Sequence, residues 1–133
     1  WRGFLQKRVN IEFSPIPGSL VIGIIWSLWH LPLFYMLGTS QHDFNMPFMP
    51  FMISVISSSF IYTYVYIKSH GSLFSAILLH WVGTYIMQVI GSQVSRSVTY
   101  NYLECLPAFL LGIVFIVMLY KQGTKIKKNN YAS

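Results

Sequence analysis

Two histidines lie inside apolar stretches of this sequence, where a titratable side chain is unusual. His30 lies within residues 24–34 and His80 within residues 75–81. A polar side chain at membrane depth is costly unless it faces a neighbouring helix or a water-filled cavity, so each histidine is a candidate for a functional site. Two neutral imidazoles at one level can bind a metal ion, or orient a carbonyl group and stabilise the oxyanion that develops on it.

The histidines do not make a complete hydrolytic site by themselves. Zinc normally takes a third protein ligand, and activation of water needs a base. The sequence has three carboxylates, Glu12, Asp43 and Glu104, all in predicted loops or at the edge of a span. No carboxylate is therefore expected to reach the histidines. The alternative interpretation is that each histidine only forms a hydrogen bond between helices.

The elements that must position the histidines are predicted to be transmembrane helices. Hydrophobic residues make up 54% of the sequence and charged residues 9%, a balance that excludes an ordinary soluble domain. A helix needs roughly 20 residues to cross ~30 Å of hydrocarbon. Four segments approach that length: residues 20–37, 47–67, 72–90 and 103–120. The predicted fold is all-α, a polytopic transmembrane helix bundle of about four spans that follows the end of an amphipathic helix at residues 1–10.

His30 and His80 are expected to lie at the same depth. Each is about ten residues from the inner end of its span, and the first and third spans run in the same direction, so both lie ~15 Å deep. Thr84 follows His80 by one turn on the same face. Pro32 should bend or end the first helix beside His30, because proline has no amide hydrogen. Residues 13–19 are predicted to be a loop that ends with Ser19 as the N-cap.

Other residues of the spans are predicted to pack or to anchor. Serines of the second span are small enough to let another helix approach closely. These are Ser54, Ser57, Ser58 and Ser59. Tyrosines beside Lys68 are predicted to anchor that span at the membrane interface. These are Tyr62, Tyr64 and Tyr66. Trp26, Trp29 and Trp81 are expected to pack around a cavity next to the histidines.

The net charge of +6 does not indicate nucleic acid, because Lys and Arg lie mainly between and beyond the apolar segments. The positive-inside rule places both ends in the cytoplasm and loops 38–46 and 91–102 outside. We expect an integral membrane protein of a bacterial cell membrane, in contact with lipids. Residues 1–120 would be the membrane-embedded domain and residues 121–133 a basic cytoplasmic tail.

Three motifs follow one another along the chain: Trp-Arg-Gly-Phe-Leu at 1–5, Trp-Ser-Leu-Trp-His-Leu-Pro at 26–32 and His-Trp-Val-Gly-Thr at 80–84. In this order they resemble the CPBP intramembrane protease family of CAAX proteases and bacteriocin-processing proteases. That family's pattern is Glu-Glu-x-x-x-Arg, Phe-x-x-x-His and His-x-x-x-Asn or Asp. Arg2, His30 and His80 match it, whereas Trp26 replaces Phe and Thr84 replaces Asn or Asp.

The resemblance implies a membrane-embedded, metalloendopeptidase-like hydrolase that cleaves a peptide, or a prenylated or lipid-embedded protein, near the membrane surface. It implies catalytic positions at Arg2, His30, His80 and Thr84. His30 and His80 would either bind zinc or another divalent metal, or act without metal at the oxyanion. The two glutamates of the family would lie before residue 1, so we expect this chain alone, as a C-terminal fragment, to be inactive. The alternative is a non-catalytic membrane protein of the same fold, with a bacteriocin immunity or scaffold role.

Overall fold

The computed structural model describes residues 3–6, 8, 13–91 and 98–130, and the regular structure in these ranges is helical. Near the N-terminus, Leu5, Gln6 and Arg8 are helical, and the Arg8 N–H donates to the Phe4 carbonyl at 3.3 Å. The main elements are α1 (Pro15–Trp29), a 3-10 helix (Leu31–Phe34), α2 (Ser40–Asp43), α3 (Phe48–Lys68), α4 (Leu73–Gly91) and α5 (Val98–Asn130). The all-α prediction is confirmed.

Three helical stretches of the described residues are long and apolar enough to cross a membrane: Pro15–Phe34, Phe48–Lys68 and Cys105–Gly123. The apolar part of α4, Leu73–Ile86, is shorter. Three of the four predicted spans are therefore present at full length, and the third in chain order is a shorter apolar helix. Large apolar side chains on the outside, such as Phe74 and Leu110, suit contact with lipid.

Prolines lie at the start of helix α1 and just beyond its end. It starts at Pro15, with Ser14 as its N-cap. Proline fits a first helical turn because the N–H groups there have no partner within the helix. The prediction of a loop up to Ser19 was wrong, and Ser19 is a fully buried helical residue. At the other end His30 is the C-cap and Pro32 lies in the 3-10 helix, so the predicted interruption is confirmed.

Helix α3 is the centre of the bundle. It packs extensively against α1 and α5, and less against α4. Glycines permit the two close approaches: a Cβ atom added at Gly23 of α1 would lie 2.8 Å from the Ile56 Cα, and one at Gly112 of α5 would lie 2.9 Å from the Ser57 Cβ. Ser57 and Ser59 are buried at these contacts, as predicted for small residues that let helices approach.

Helix α5 is longer than the predicted fourth span. Its 33 residues, Val98–Asn130, extend over about 50 Å at ~1.5 Å per residue, well beyond ~30 Å of hydrocarbon. It therefore continues through residues 121–130, the first part of the predicted basic tail.

Candidate active site

A cavity of about 500 Å³ lies between the N-terminal segment and helices α1, α3 and α4. Most of its walls are apolar, and among its lining side chains His30, Tyr62 and His80 can accept a hydrogen bond or a proton. The residues that line it are Gly3, Trp26, Trp29, His30, Tyr62, Leu73, Ala76, Ile77 and His80. Two histidines that are fifty positions apart in the sequence thus share one cavity.

The end of α1 positions the half-buried His30. Its main-chain N–H donates to the Ser27 carbonyl at 3.1 Å, three residues back, instead of to the Trp26 carbonyl four residues back. The Trp26 carbonyl accepts a hydrogen bond from Nδ1 of the His30 ring, at 2.9 Å. Since a carbonyl oxygen only accepts, the neutral imidazole carries its proton on Nδ1 and keeps a lone pair on Nε2.

His80 lies on α4 and is exposed. Its Nδ1 lies 3.4 Å from the hydroxyl oxygen of Tyr62 on α3, within hydrogen-bond reach. Tyr62 is only 8% exposed. This contact joins two helices, which is what the alternative interpretation expected of an intramembrane histidine. The contact described for His30 Nδ1, in comparison, stays within its own helix.

Trp26 contacts the other aromatic groups of the cavity. Its ring centroid lies 6.3 Å from that of His30, 5.9 Å from that of His80 and 5.5 Å from that of Tyr62. The two imidazoles can be no farther apart than the sum of their distances to Trp26, which is well under two helix diameters of ~10 Å each. A short peptide segment in this cavity can therefore meet both rings.

Phenylalanines support His30 from the side of α3. The Phe51 ring lies 5.5 Å from the His30 ring, and Phe34 lies 5.2 Å from both Phe48 and Phe51. Edge-to-face contacts of this kind fasten the 3-10 helix to α3. The ring of His30 is thus held by a hydrogen bond within α1 and by packing against a neighbouring helix.

Of the other two predicted site residues, the structure describes Thr84 and not Arg2. The Thr84 hydroxyl donates to the His80 carbonyl at 2.8 Å within α4, and Thr84 does not line the cavity. Arg2 lies outside the described residues. Trp29 lines the cavity as expected, but Trp81 is 63% exposed and stacks on Tyr85 at 5.9 Å, so the prediction that Trp81 packs around the cavity was wrong.

Tyr62 does not have the interfacial position predicted for it. The interfacial role predicted for it was based on its nearness to Lys68, but it is buried in the cavity wall. Tyr64, two positions later and on another face of α3, packs its ring against Phe115 and lies under the Lys68 ammonium group. The signal was present: Tyr62 is three residues after Ser59 and therefore shares the buried face of α3.

Among the described residues no group of three His, Cys, Asp or Glu side chains could hold a metal ion. The cavity supplies two imidazoles, one fewer than the three protein ligands of a typical catalytic zinc site. Asp43 lies at the end of α2, away from the cavity, where hydrogen bonds from the His42 ring and the Gly38 N–H lower the pKa of its carboxyl. The described residues therefore do not make up a metal site on their own.

Comparisons with known proteins agree with the motif resemblance. A family model described as Type II CAAX prenyl endopeptidase Rce1-like matches residues 1–86. A protein named CAAX prenyl protease 2 from Methanococcus maripaludis is 30% identical over 86 residues, which cover 62% of this chain and 32% of the relative. The matching region thus spans about a third of the relative's length. No solved structure matches this chain.

The family match contains the cavity's residues from Gly3 to His80 and all three motifs. With three apolar helices long enough to cross a bilayer, it identifies an integral membrane protein. The chain belongs to the Type II CAAX prenyl endopeptidase Rce1-like family, within the larger group of CAAX and bacteriocin-processing proteases that its motifs indicate.

Proposed function

We propose that the cavity forms part of the active site of a membrane-embedded endopeptidase that cleaves prenylated CAAX proteins near the membrane surface. One observation carries the proposal: His30 and His80, from helices α1 and α4, line the same cavity inside a bundle of membrane-spanning length. Imidazoles are the side chains most often used to move protons in catalysis, and they are rare at membrane depth.

The hydrogen bond at Nδ1 favours an accepting role for His30. With its proton directed at the Trp26 carbonyl, a neutral His30 has a lone pair on Nε2. That nitrogen can accept a hydrogen bond or a proton from water. It cannot donate to an oxyanion in this tautomer, so stabilisation of the oxyanion falls to another group.

The walls of the cavity suit a lipid-modified substrate. Trp29 is 69% exposed, and Leu73 and Ile77, on α4, are exposed as well. These side chains line the cavity and continue into the outer surface of the bundle. An apolar chain attached to a peptide could thus stay in contact with apolar side chains while the peptide lies at the histidines.

Hydrolysis also needs a group that activates water strongly, and we infer that a carboxylate outside the set of described lining residues supplies it. The described residues that line the cavity contain no Asp or Glu. The match to an endopeptidase family does not favour the alternative of a non-catalytic immunity or scaffold protein.

The test is to substitute each histidine in the full-length protein and measure cleavage of a prenylated CAAX peptide in vesicles. His30→Ala and His80→Ala should each lower kcat/KM by about 100-fold or more, since loss of a group used in acid–base catalysis typically costs 10²–10⁴-fold. His42→Ala, in the loop at α2, is the matched control and should cleave at the normal rate. If both cavity variants also cleave at the normal rate, the catalytic assignment is wrong.

A further inference from the structure

The two histidines of the cavity have hydrogen-bond partners of different kinds. His30 Nδ1 faces a carbonyl oxygen, which only accepts, so His30 must donate there. His80 Nδ1 faces the Tyr62 hydroxyl, which can donate or accept. A phenol O–H is a better donor than a neutral imidazole N–H, and the imidazole lone pair is a better acceptor than the phenol oxygen. The favourable arrangement is therefore O–H···N, from Tyr62 to His80.

We propose that Tyr62 is a positioning residue, which donates its hydroxyl hydrogen to Nδ1 of His80 and so keeps the proton of that ring on Nε2. The two neutral imidazoles then hold opposite tautomers. His30 offers a lone pair on Nε2 and His80 offers an N–H donor on Nε2. This inference rests on the proposed function, because it divides the work of one active site between the two rings.

Opposite tautomers allow an uncharged pair to do two jobs at once. A lone pair can accept a hydrogen from the attacking water, and an N–H donor can stabilise the negative charge that develops on the carbonyl oxygen. Neither ring could replace the other without a proton moving between its nitrogens. Tyr62, a residue of α3, would thus determine that His80 on α4 acts as the donor to the oxyanion.

The surroundings of Tyr62 hold its hydroxyl in place. Tyr62 is buried, and its ring stands at 80° to the Trp26 ring, with a centroid distance of 5.5 Å. The Tyr62 and His80 rings are 6.4 Å apart. A donor that is fixed before substrate binds needs no reorganisation during the reaction, which is the condition for effective electrostatic stabilisation.

The first test needs no enzymatic activity. The chain is labelled with ¹⁵N-histidine in detergent micelles at alkaline pH. Long-range ¹H–¹⁵N spectra then show which nitrogen of each ring carries the proton. We expect Nδ1–H for His30 and Nε2–H for His80. A proton on Nδ1 of His80 in the wild-type chain overturns the proposal.

Tyr62→Phe removes the hydroxyl and keeps the ring. It should shift the Nδ1 resonance of His80 downfield, to the position of a lone pair without a hydrogen bond, while the His30 resonances stay unchanged and report that the fold is intact. Tyr64→Phe, on the same helix against Phe115, is the matched control and should leave both histidines unchanged. An unchanged His80 resonance in Tyr62→Phe overturns the proposal.

The second test measures cleavage by the full-length protein. Tyr62→Phe should lower kcat by about 10- to 100-fold, the usual effect of removing a group that orients a catalytic side chain, with KM within twofold. Tyr64→Phe should change neither value by more than twofold. A normal kcat for Tyr62→Phe overturns the positioning role. Failure of the proposed function itself is recognised separately, by normal cleavage in His30→Ala and His80→Ala.

Discussion

The chemistry open to His30 depends on which of its two nitrogens is occupied. Nδ1 is occupied because α1 ends at Trp29. There the His30 main-chain N–H donates to the Ser27 carbonyl, so the Trp26 carbonyl can accept a hydrogen bond from the His30 ring. Pro32, with no N–H of its own, contributes to ending the helix there. Pro32 thus helps to determine that the His30 ring is held through Nδ1.

Gly112 permits a close contact between helices because it has no side chain. A Cβ atom there would lie 2.9 Å from the Ser57 Cβ and 3.1 Å from the Ser57 Cα. These distances are below van der Waals contact, and backbone atoms cannot move aside as a flexible side chain can. The distance between α5 and α3 is therefore set by this pair.

Gly112→Ala should destabilise the protein by about 1 to 3 kcal/mol, the usual cost of overpacking a tight contact. Gly83→Ala is the matched control, because an added Cβ at this helical glycine meets nothing within 4 Å. It should be neutral or stabilising by up to about 1 kcal/mol, through better helix propensity. Unfolding in mixed micelles of dodecylmaltoside and sodium dodecyl sulfate measures both. Equal effects of the two variants would contradict the close contact.

Polar side chains join three elements in the interior of the bundle. Gln6 of the N-terminal segment, Ser19 of α1, and Ser59 and Thr63 of α3 are all fully buried. The Ser59 hydroxyl donates to the Ser19 carbonyl at 2.7 Å, and the Ser19 and Thr63 hydroxyls are 2.7 Å apart. The Thr63 hydroxyl also lies 3.4 Å from Oε1 of Gln6. This network fixes the elements that carry the first two motifs relative to α3.

Thr63→Val preserves the shape of the side chain and removes its hydroxyl. We expect a loss of about 1 to 2 kcal/mol of unfolding free energy, the range of hydrogen bonds between transmembrane helices. Thr84→Val is the stability control, since the exposed Thr84 hydroxyl bonds only to its own helix among the described contacts. That change should stay within about 0.5 kcal/mol, as is usual for surface substitutions. If both variants unfold alike, the buried network does not hold the elements together.

The whole molecule is a bundle whose long helices have apolar outer surfaces, and its orientation in the bilayer follows from charge. Lys68 lies at the end of α3 and Lys121 near the C-terminal end of the apolar part of α5, whereas residues 38–46 contain no Lys or Arg. Cationic residues flanking spans remain in the cytoplasm. We propose that both ends of the chain are cytoplasmic and that α2 lies outside, which requires the shorter α4 to cross the membrane as well as the three long spans.

Labelling with a membrane-impermeant maleimide tests this orientation in intact bacterial cells that express the protein. Ser40→Cys, in α2, should react in intact cells. His70→Cys, in the turn between α3 and α4, should react only after the membrane is permeabilised. The unsubstituted protein is the background control, because its one cysteine, Cys105, is buried. Labelling of His70→Cys but not of Ser40→Cys in intact cells would reverse the proposed topology.

The sequence by itself determined the helical class, the membrane spans and the family. These depend on the length of the apolar segments and on short motifs, and both are recognisable without coordinates. It also indicated His30 and His80, since an ionisable group within an apolar run is visible in one dimension. Only the tertiary structure decided that Tyr62 belongs to the cavity, that the Thr84 hydroxyl donates to the His80 carbonyl outside the cavity lining, and that Trp81 faces outward. Those outcomes depend on the rotation of α3 and α4 about their axes, which is set by close contacts between helices that are distant in the sequence.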